Sequence, residues 1–229
     1  MGATPRFEHH GRGPYTSPVR ISEIFRSLQG ESTFAGLPCT FVRTTGCNLR
    51  CRYCDTAYAF SGGSEMSVAD ITAQVATLGT RLVEVTGGEP LLQDETVALM
   101  TTLLAHGHTV LLETGGSLPI DAVPAGVHVI LDIKTPSSGE AEANLWGNLD
   151  RLDAHGEVKL VVGDRRDFDW GIDLVRRHRL SERWPVLISP VHGTLAADEV
   201  AAWILESGLP LRLQLQLHKY VWDPARTGV

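Results

Sequence analysis

The sequence predicts an α/β fold, an incomplete TIM-like barrel of parallel strands with helices on the outside. Three observations lead there. Short apolar runs alternate with stretches of helical period along most of the chain, the pattern of strands joined by crossover helices. About six such units can be counted, fewer than the eight of a closed barrel. Polar clusters recur where the apolar runs end, at 47–54, 87–90, 113–116, 132–134, Lys159 and 189–190. In parallel barrels function gathers at those C-terminal strand ends.

Residues 21–28 alternate apolar and polar side chains as a strand does, ending at Gln29-Gly30-Glu31. A second strand, 39–44, delivers the chain into a cysteine-rich loop. Ser67 is placed to cap a helix running to Leu78, with Val68, Ile71, Val75 and Leu78 on one face. A strand at 81–86 closes in Gly87-Gly88-Glu89-Pro90, and a helix at 94–106 carries Val97, Met100, Leu103 and Leu104. Strands are expected at 109–113, 127–133, 157–162, 186–189 and 211–217. Helices are expected at 140–154, at 168–178, and from a Thr194 cap to Ser207. Residues 1–18 have no apolar stretch of signal-peptide type and read as a flexible lead to a single domain at 19–229. No internal repeat stands out.

The chain's 229 residues suffice for a sizeable core. Its 20 Lys and Arg against 27 Asp and Glu give a net charge of −7, which argues against a nucleic-acid or anionic-membrane partner held by bulk charge. No apolar run approaches the roughly 20 residues of a membrane span. Four cysteines, three of them in one motif, suit a reducing cytoplasm better than a disulfide framework.

Those three are Cys47, Cys51 and Cys54, spaced C-x3-C-x2-C. Thiolates select zinc, copper(I) or iron–sulfur clusters. A [4Fe–4S] cubane held by three cysteines keeps one iron open to a ligand. A zinc site completed by one of the nine histidines is the rival reading, but no second C-x2-C or H-x3-5-H half is present. Cys39 lies inside a strand-like run and is expected to pack in the core.

The C-x3-C-x2-C spacing resembles the radical S-adenosylmethionine (radical SAM) enzymes, and Gly87-Gly88-Glu89-Pro90 resembles their SAM-binding turn. The resemblance implies a [4Fe–4S] cluster on Cys47, Cys51 and Cys54, with SAM on the open iron. It also implies SAM contacts from Tyr53, Cys54, Asp55, Gly88, Glu89, Glu113 and the stretch Asp132-Ile133-Lys134. Glycines allow close backbone approach, and an ammonium needs carbonyl and carboxylate acceptors.

Further blocks are similar to the 7-carboxy-7-deazaguanine synthase family. They are Glu23-Ile24-Phe25-x-Ser27-Leu28-Gln29-Gly30-Glu31, Phe41-x-Arg43, Cys54-Asp55-Thr56, Lys134-x-Pro136-Ser137-Ser138-Gly139 and Gln214-Leu215-x-Leu217-His218-Lys219. That similarity implies conversion of 6-carboxy-5,6,7,8-tetrahydropterin to 7-carboxy-7-deazaguanine with loss of ammonia, started by reductive cleavage of SAM. It implies pterin contacts from Leu28, Gln29, Gly30, Arg43 and Thr86, and a Mg2+ ion touched by Thr56 and by substrate oxygens. It further implies a flavodoxin or ferredoxin as one-electron donor and a homodimer. Singly, Arg43 reads equally as a surface ion pair, Thr56 as a helix cap and Gln29-Gly30 as a turn. The rival functions are an activase of a glycyl-radical enzyme and a non-catalytic zinc-binding protein.

Overall fold

The computed structural model describes residues 17–229, so nearly all of the expected lead at 1–18 lies outside the described residues. The strands are β1 (Val19–Leu28), β2 (Pro38–Thr44), β3 (Ser64–Met66), β4 (Leu82–Gly87), β5 (Thr109–Thr114), β6 (His128–Ile133), β7 (Glu157–Val162), β8 (Val186–Pro190) and β9 (Arg212–Leu213). They form one open sheet in the order β3-β1-β2-β4-β5-β6-β7-β8-β9. From β2 to β9 all neighbours are parallel, as expected of the incomplete barrel. β1 instead runs antiparallel to both β2 and β3, so the sheet is mixed at that edge. The short connection from β1 to β2 accounts for this, since a parallel neighbour requires a longer crossover.

The principal helices are α1 (Val68–Leu78), α2 (Glu95–Ala105), α3 (Asn148–Arg151), α4 (Arg165–His178), α5 (Leu180–Arg183), α6 (Ala197–Ser207) and α7 (His218–Val221). Ser67 caps α1 as expected, its Oγ accepting from the Asp70 backbone N at 3.1 Å. Asp164 does the same for Asp167, which starts α4 three residues earlier than the apolar pattern indicates. No helix among the described residues is long and apolar enough to cross a membrane.

Three expected elements change form. Residues 140–154 do not make one helix; a short 3-10 turn and the one-turn α3 replace it. Asn144 and Asn148 compete for the backbone: Asn144 Nδ2 donates to the Lys134 carbonyl oxygen, and Asn148 Nδ2 to that of Leu118. The strand expected at 211–217 stops at Leu213, because the Leu217 N–H donates to Gly30 O at 2.9 Å and draws the chain across the barrel. Thr194 lies in a turn, and α6 begins after Ala196 without a side-chain cap.

Two cores flank the sheet. The larger packs the outward residues of the strands (Val83, Val85, Val110, Leu112, Leu131, Leu160, Ile188) against the helices. Inside the barrel a smaller cluster of Cys39, Phe41, Leu82, Leu111 and Ile130 fills the lower layer, with Phe25 and Phe34 against it. Cys39 is thus a packing residue, fully buried. The loop from Gln29 to Leu37 closes the barrel beneath, pinned by the Thr33 N–H on Glu157 Oε1 at the base of β7, 3.0 Å. What remains above is a cavity of about 290 Å3.

Candidate active site

The period-2 geometry of strands decides what lines the cavity. On β2 the inward side chains are Cys39, Phe41 and Arg43; on β4 they are Leu82, Glu84 and Thr86. Glu113 follows on β5, Asp132 on β6 and Lys159 on β7. β2, β4, β5 and β6 turn apolar residues to the lower layer and polar ones above it, and Lys159 joins them from β7, so these strand ends converge on one volume.

The loop from Cys47 to Cys54 forms the cavity's upper wall, where all three thiols line it. Arg50 braces the loop: its guanidinium donates to Cys47 O at 2.8 Å and stacks on Phe60 at 4.4 Å. The Arg52 N–H donates to Ser138 O at 2.9 Å, which gives the Pro136-Ser137-Ser138-Gly139 block a role as a buttress. Burial raises the Cys47 and Cys51 thiols above their ordinary pKa, with Lys134 pulling the other way. Among the described residues no three His, Cys, Asp or Glu side chains close on a single point as a mononuclear ion requires. Three cysteines spread around a cavity wall suit a larger inorganic core, and their donor set fits a [4Fe–4S] cluster with one iron free.

The Gly87-Gly88-Glu89-Pro90 turn lies against that loop. The Glu89 N–H donates to Gly46 O at 2.8 Å, and a Cβ on Gly88 would stand 2.9 Å from Cys47 Cβ. Glycine is required there by close approach. The Glu89 side chain is wholly buried, accepting from Thr114 Oγ1 at 2.8 Å, Gly115 N at 2.8 Å and Leu91 N at 3.1 Å. Its carboxylate therefore ties the end of β5 to the turn. Burial raises its pKa against those donors.

Of the expected site residues, all but Ile133 line the cavity. Ile133 points outward into the larger core. Tyr53 packs under the rim with its hydroxyl within 3.2 Å of both Thr135 Oγ1 and Val161 O, and burial pushes it up to about 12. Lys134 pairs with Asp132 at 2.9 Å, leaving Asp132 Oδ1 buried with no hydrogen-bond partner. An unpartnered acceptor in a cavity is suited to a ligand's hydroxyl or ammonium. Asp55 accepts from Lys219 Nζ at 2.6 Å and Gln216 Nε2 at 2.9 Å, and Thr56 Oγ1 donates to Asp55 at 3.0 Å. Against the cost of burial, Lys219 holds the Asp55 carboxyl well below the usual range.

Arg43, on β2, donates from Nε to Glu23 at 2.8 Å, with Phe25 and Tyr58 against its guanidinium. Lys159 is the hub of the lower site, paired with Glu113 at 2.7 Å and with Glu31. Burial opposes its charge, but the carboxylates of Glu113, Glu31 and Asp132 hold its ammonium well above the ordinary pKa. Burial would raise Glu113, yet Lys159 outweighs it and keeps that carboxyl below the usual value.

Four groups of the site went unassigned in the sequence reading: Glu31, Glu84, Lys159 and the tail residues Gln216, His218 and Lys219. The strand-end lysine and the tail block were both visible, but nothing local showed that they meet. Glu84 interrupts the apolar run Leu82-Val83-Glu84-Val85. A charged residue in a buried strand was the available signal.

Comparisons with known proteins agree with this geometry. Residues 41–139 match the Radical SAM superfamily. The chain is 46% identical over 216 residues to the 7-carboxy-7-deazaguanine synthase of Chlorobaculum tepidum, covering 93% of this chain and 98% of that one. It is 44% identical over 226 residues to that of Koribacter versatilis, covering 92% and 100%. The crystal structure of QueE from Escherichia coli superposes with a TM-score of 0.73 at 25% identity, covering 88% of this chain and 95% of that one. At 46% and 44% identity along nearly its whole length, and with the Radical SAM match spanning its thiol triad and glycine turn, the chain belongs to the 7-carboxy-7-deazaguanine synthase family of radical SAM enzymes.

Proposed function

We propose that this protein converts 6-carboxy-5,6,7,8-tetrahydropterin to 7-carboxy-7-deazaguanine, releasing ammonia, with a [4Fe–4S] cluster and SAM as cofactors. The observation that carries the reading is that one cavity is lined both by the three thiols and the glycine turn and by Gln29, Arg43 and Thr86.

Cys47, Cys51 and Cys54 would hold the cluster, and Tyr53, Asp55, Gly88, Glu89, Glu113, Asp132, Lys134 and the backbone of Ile133 would surround SAM. When bound, the cluster and SAM supply one-electron chemistry and the removal of a hydrogen atom from substrate. The chain's own part is positioning. Arg43 offers the terminal nitrogens of a planar guanidinium to the pterin carboxylate, its Nε being committed to Glu23. Leu28, Gln29 and Gly30 form the floor on which the bicyclic ring rests, and Thr86 faces it from β4. Lys159 keeps Glu113 and Glu31 from repelling each other at the ring's edge.

Thr56 would give one hydroxyl to Mg2+. The adjacent Asp55 carboxylate is engaged by Lys219, so the remaining oxygens would come from substrate and water, as suits that ion. A cavity of only about 290 Å3 favours this reading over an activase, which must admit a protein segment. The product would enter deazapurine biosynthesis in the cytoplasm, the enzyme acting as a homodimer reduced by a flavodoxin or ferredoxin. Anaerobic incubation of the reconstituted protein with SAM, reductant and carboxytetrahydropterin tests the proposal: the deazaguanine acid and ammonia should appear together. SAM cleavage with the pterin left unchanged would refute it.

A further inference from the structure

We infer that Glu84 is a specificity-determining residue of the pterin pocket, donating a hydrogen bond from its carboxyl group to an acceptor atom of the substrate's pyrimidinone ring. The inference rests on the pterin reading above and adds a contact that the sequence blocks do not supply.

Glu84 is 4% exposed and lines the cavity floor. In register it stands between Phe41 on β2 and Leu111 on β5, both apolar, one layer below Thr86. A carboxyl in such a layer needs partners or a neutral form. Its Oε2 accepts from Gln29 Nε2, the only side-chain hydrogen bond Glu84 makes among the described residues. Oε1 is left facing the cavity.

The charged groups around it decide its protonation. Glu113 on β5 and Glu31 in the loop after β1 are both acidic, and the one cation between them, Lys159 on β7, is paired with both. Arg43 on β2 is paired with Glu23, and beneath lies Cys39, an uncharged buried thiol. Glu84 has no cation of its own, and an ionised Glu84 would add a fourth carboxylate to Glu113, Glu31 and Asp132 around the Lys159 ammonium. Burial, then Glu113 and Glu31, push its carboxyl up to about 8, so it is mostly protonated at pH 7. Protonated, it is a donor in a wall otherwise rich in acceptors. The pyrimidinone ring of a tetrahydropterin presents a carbonyl oxygen and one unprotonated ring nitrogen, N1, either of which such a donor can satisfy. Gln29, by holding Oε2, leaves the proton on the oxygen that faces the ligand.

The experiment titrates 6-carboxytetrahydropterin into anaerobic, SAM-loaded holoenzyme between pH 6.5 and 9, for wild type, Glu84→Gln and Glu84→Val. Cluster absorbance confirms that each variant is intact. Wild-type affinity should fall roughly tenfold from pH 7 to 9 as the donor is lost, one pH unit above the carboxyl's pKa. Glu84→Gln keeps a donor that does not titrate. It should bind within about threefold of wild type at pH 7 and lose the alkaline decline, whereas Glu84→Val should bind roughly ten- to a hundredfold more weakly. Glu84→Gln as weak as Glu84→Val would overturn the inference in favour of a carboxylate acceptor. A decline unchanged in Glu84→Gln would overturn it also. If wild type cleaves SAM but binds no carboxytetrahydropterin at any pH, the pterin reading itself falls, and this inference with it.

Discussion

Gly88 and Gly46 touch backbone to backbone: any Cβ on Gly88 would overlap the Gly46 carbonyl oxygen, which already accepts the Glu89 N–H. The glycine turn and the cysteine loop are therefore one rigid unit. Gly88→Ala should push the loop away and lose most of the cluster absorbance and SAM cleavage, with far-UV circular dichroism unchanged. Gly79→Ala is the control: Gly79 has φ +68° with open space around it, so the change should cost about 1 kcal/mol in stability and spare the cluster. Normal cluster content in Gly88→Ala would contradict the close packing.

Replacing Cys47, Cys51 or Cys54 by Ala should abolish both the iron–sulfur absorbance near ~400 nm and SAM cleavage. Cys39→Ala should keep both and cost about 1 kcal/mol, since it removes one atom from the lower core. A bleached Cys39→Ala beside a brown triad variant would show the ligand set to be wrong.

Arg43→Lys preserves charge but not the two-pronged donor, so pterin affinity should fall roughly tenfold, and Arg43→Ala up to a hundredfold. Titration with the analogue lacking the 6-carboxylate provides the comparison. An equal loss for both ligands would make the arginine structural, through its pair with Glu23 at 2.8 Å.

Lys159→Met leaves Glu31 and Glu113 buried without their ammonium, a loss of about 3–5 kcal/mol at pH 7.5. The sign with pH follows from linkage. In wild type the lowered pKa of Glu113 gives stability that is present above its unfolded value and lost as pH falls. Without Lys159 the carboxyl's pKa rises, so acid relieves the repulsion and the gap to wild type should narrow toward pH 5. Urea denaturation at both pH values measures it; a gap that widens in acid would count against the hub.

Thr56→Val should lower turnover and weaken stimulation by Mg2+ while leaving the cluster intact, the effect being partial because water can replace one oxygen ligand. Turnover indifferent to both Mg2+ and chelator would remove the ion from the site.

Local spacing carried much of this protein. The thiol triad, the glycine turn and the Ser67 cap depend on residues a few positions apart, and the alternation of apolar runs set the parallel barrel from β2 to β8. Side-chain competition was harder to see: Asn144 and Asn148 broke the helix expected at 140–154 by bonding to backbone far from it in sequence. Sidedness was harder still. Strands covered on both faces are apolar on both, so periodicity cannot say whether Glu84 or Val85 faces the lumen. Nor can it show that Ile133, next to Asp132, turns away from the site. Barrel curvature and strand register settled both, gathering Glu31, Glu84, Glu113 and Lys159 from four distant stretches around one buried ammonium. Such a cluster exists only where burial makes each charge answer to its spatial neighbours, and no spacing along the chain records that distance.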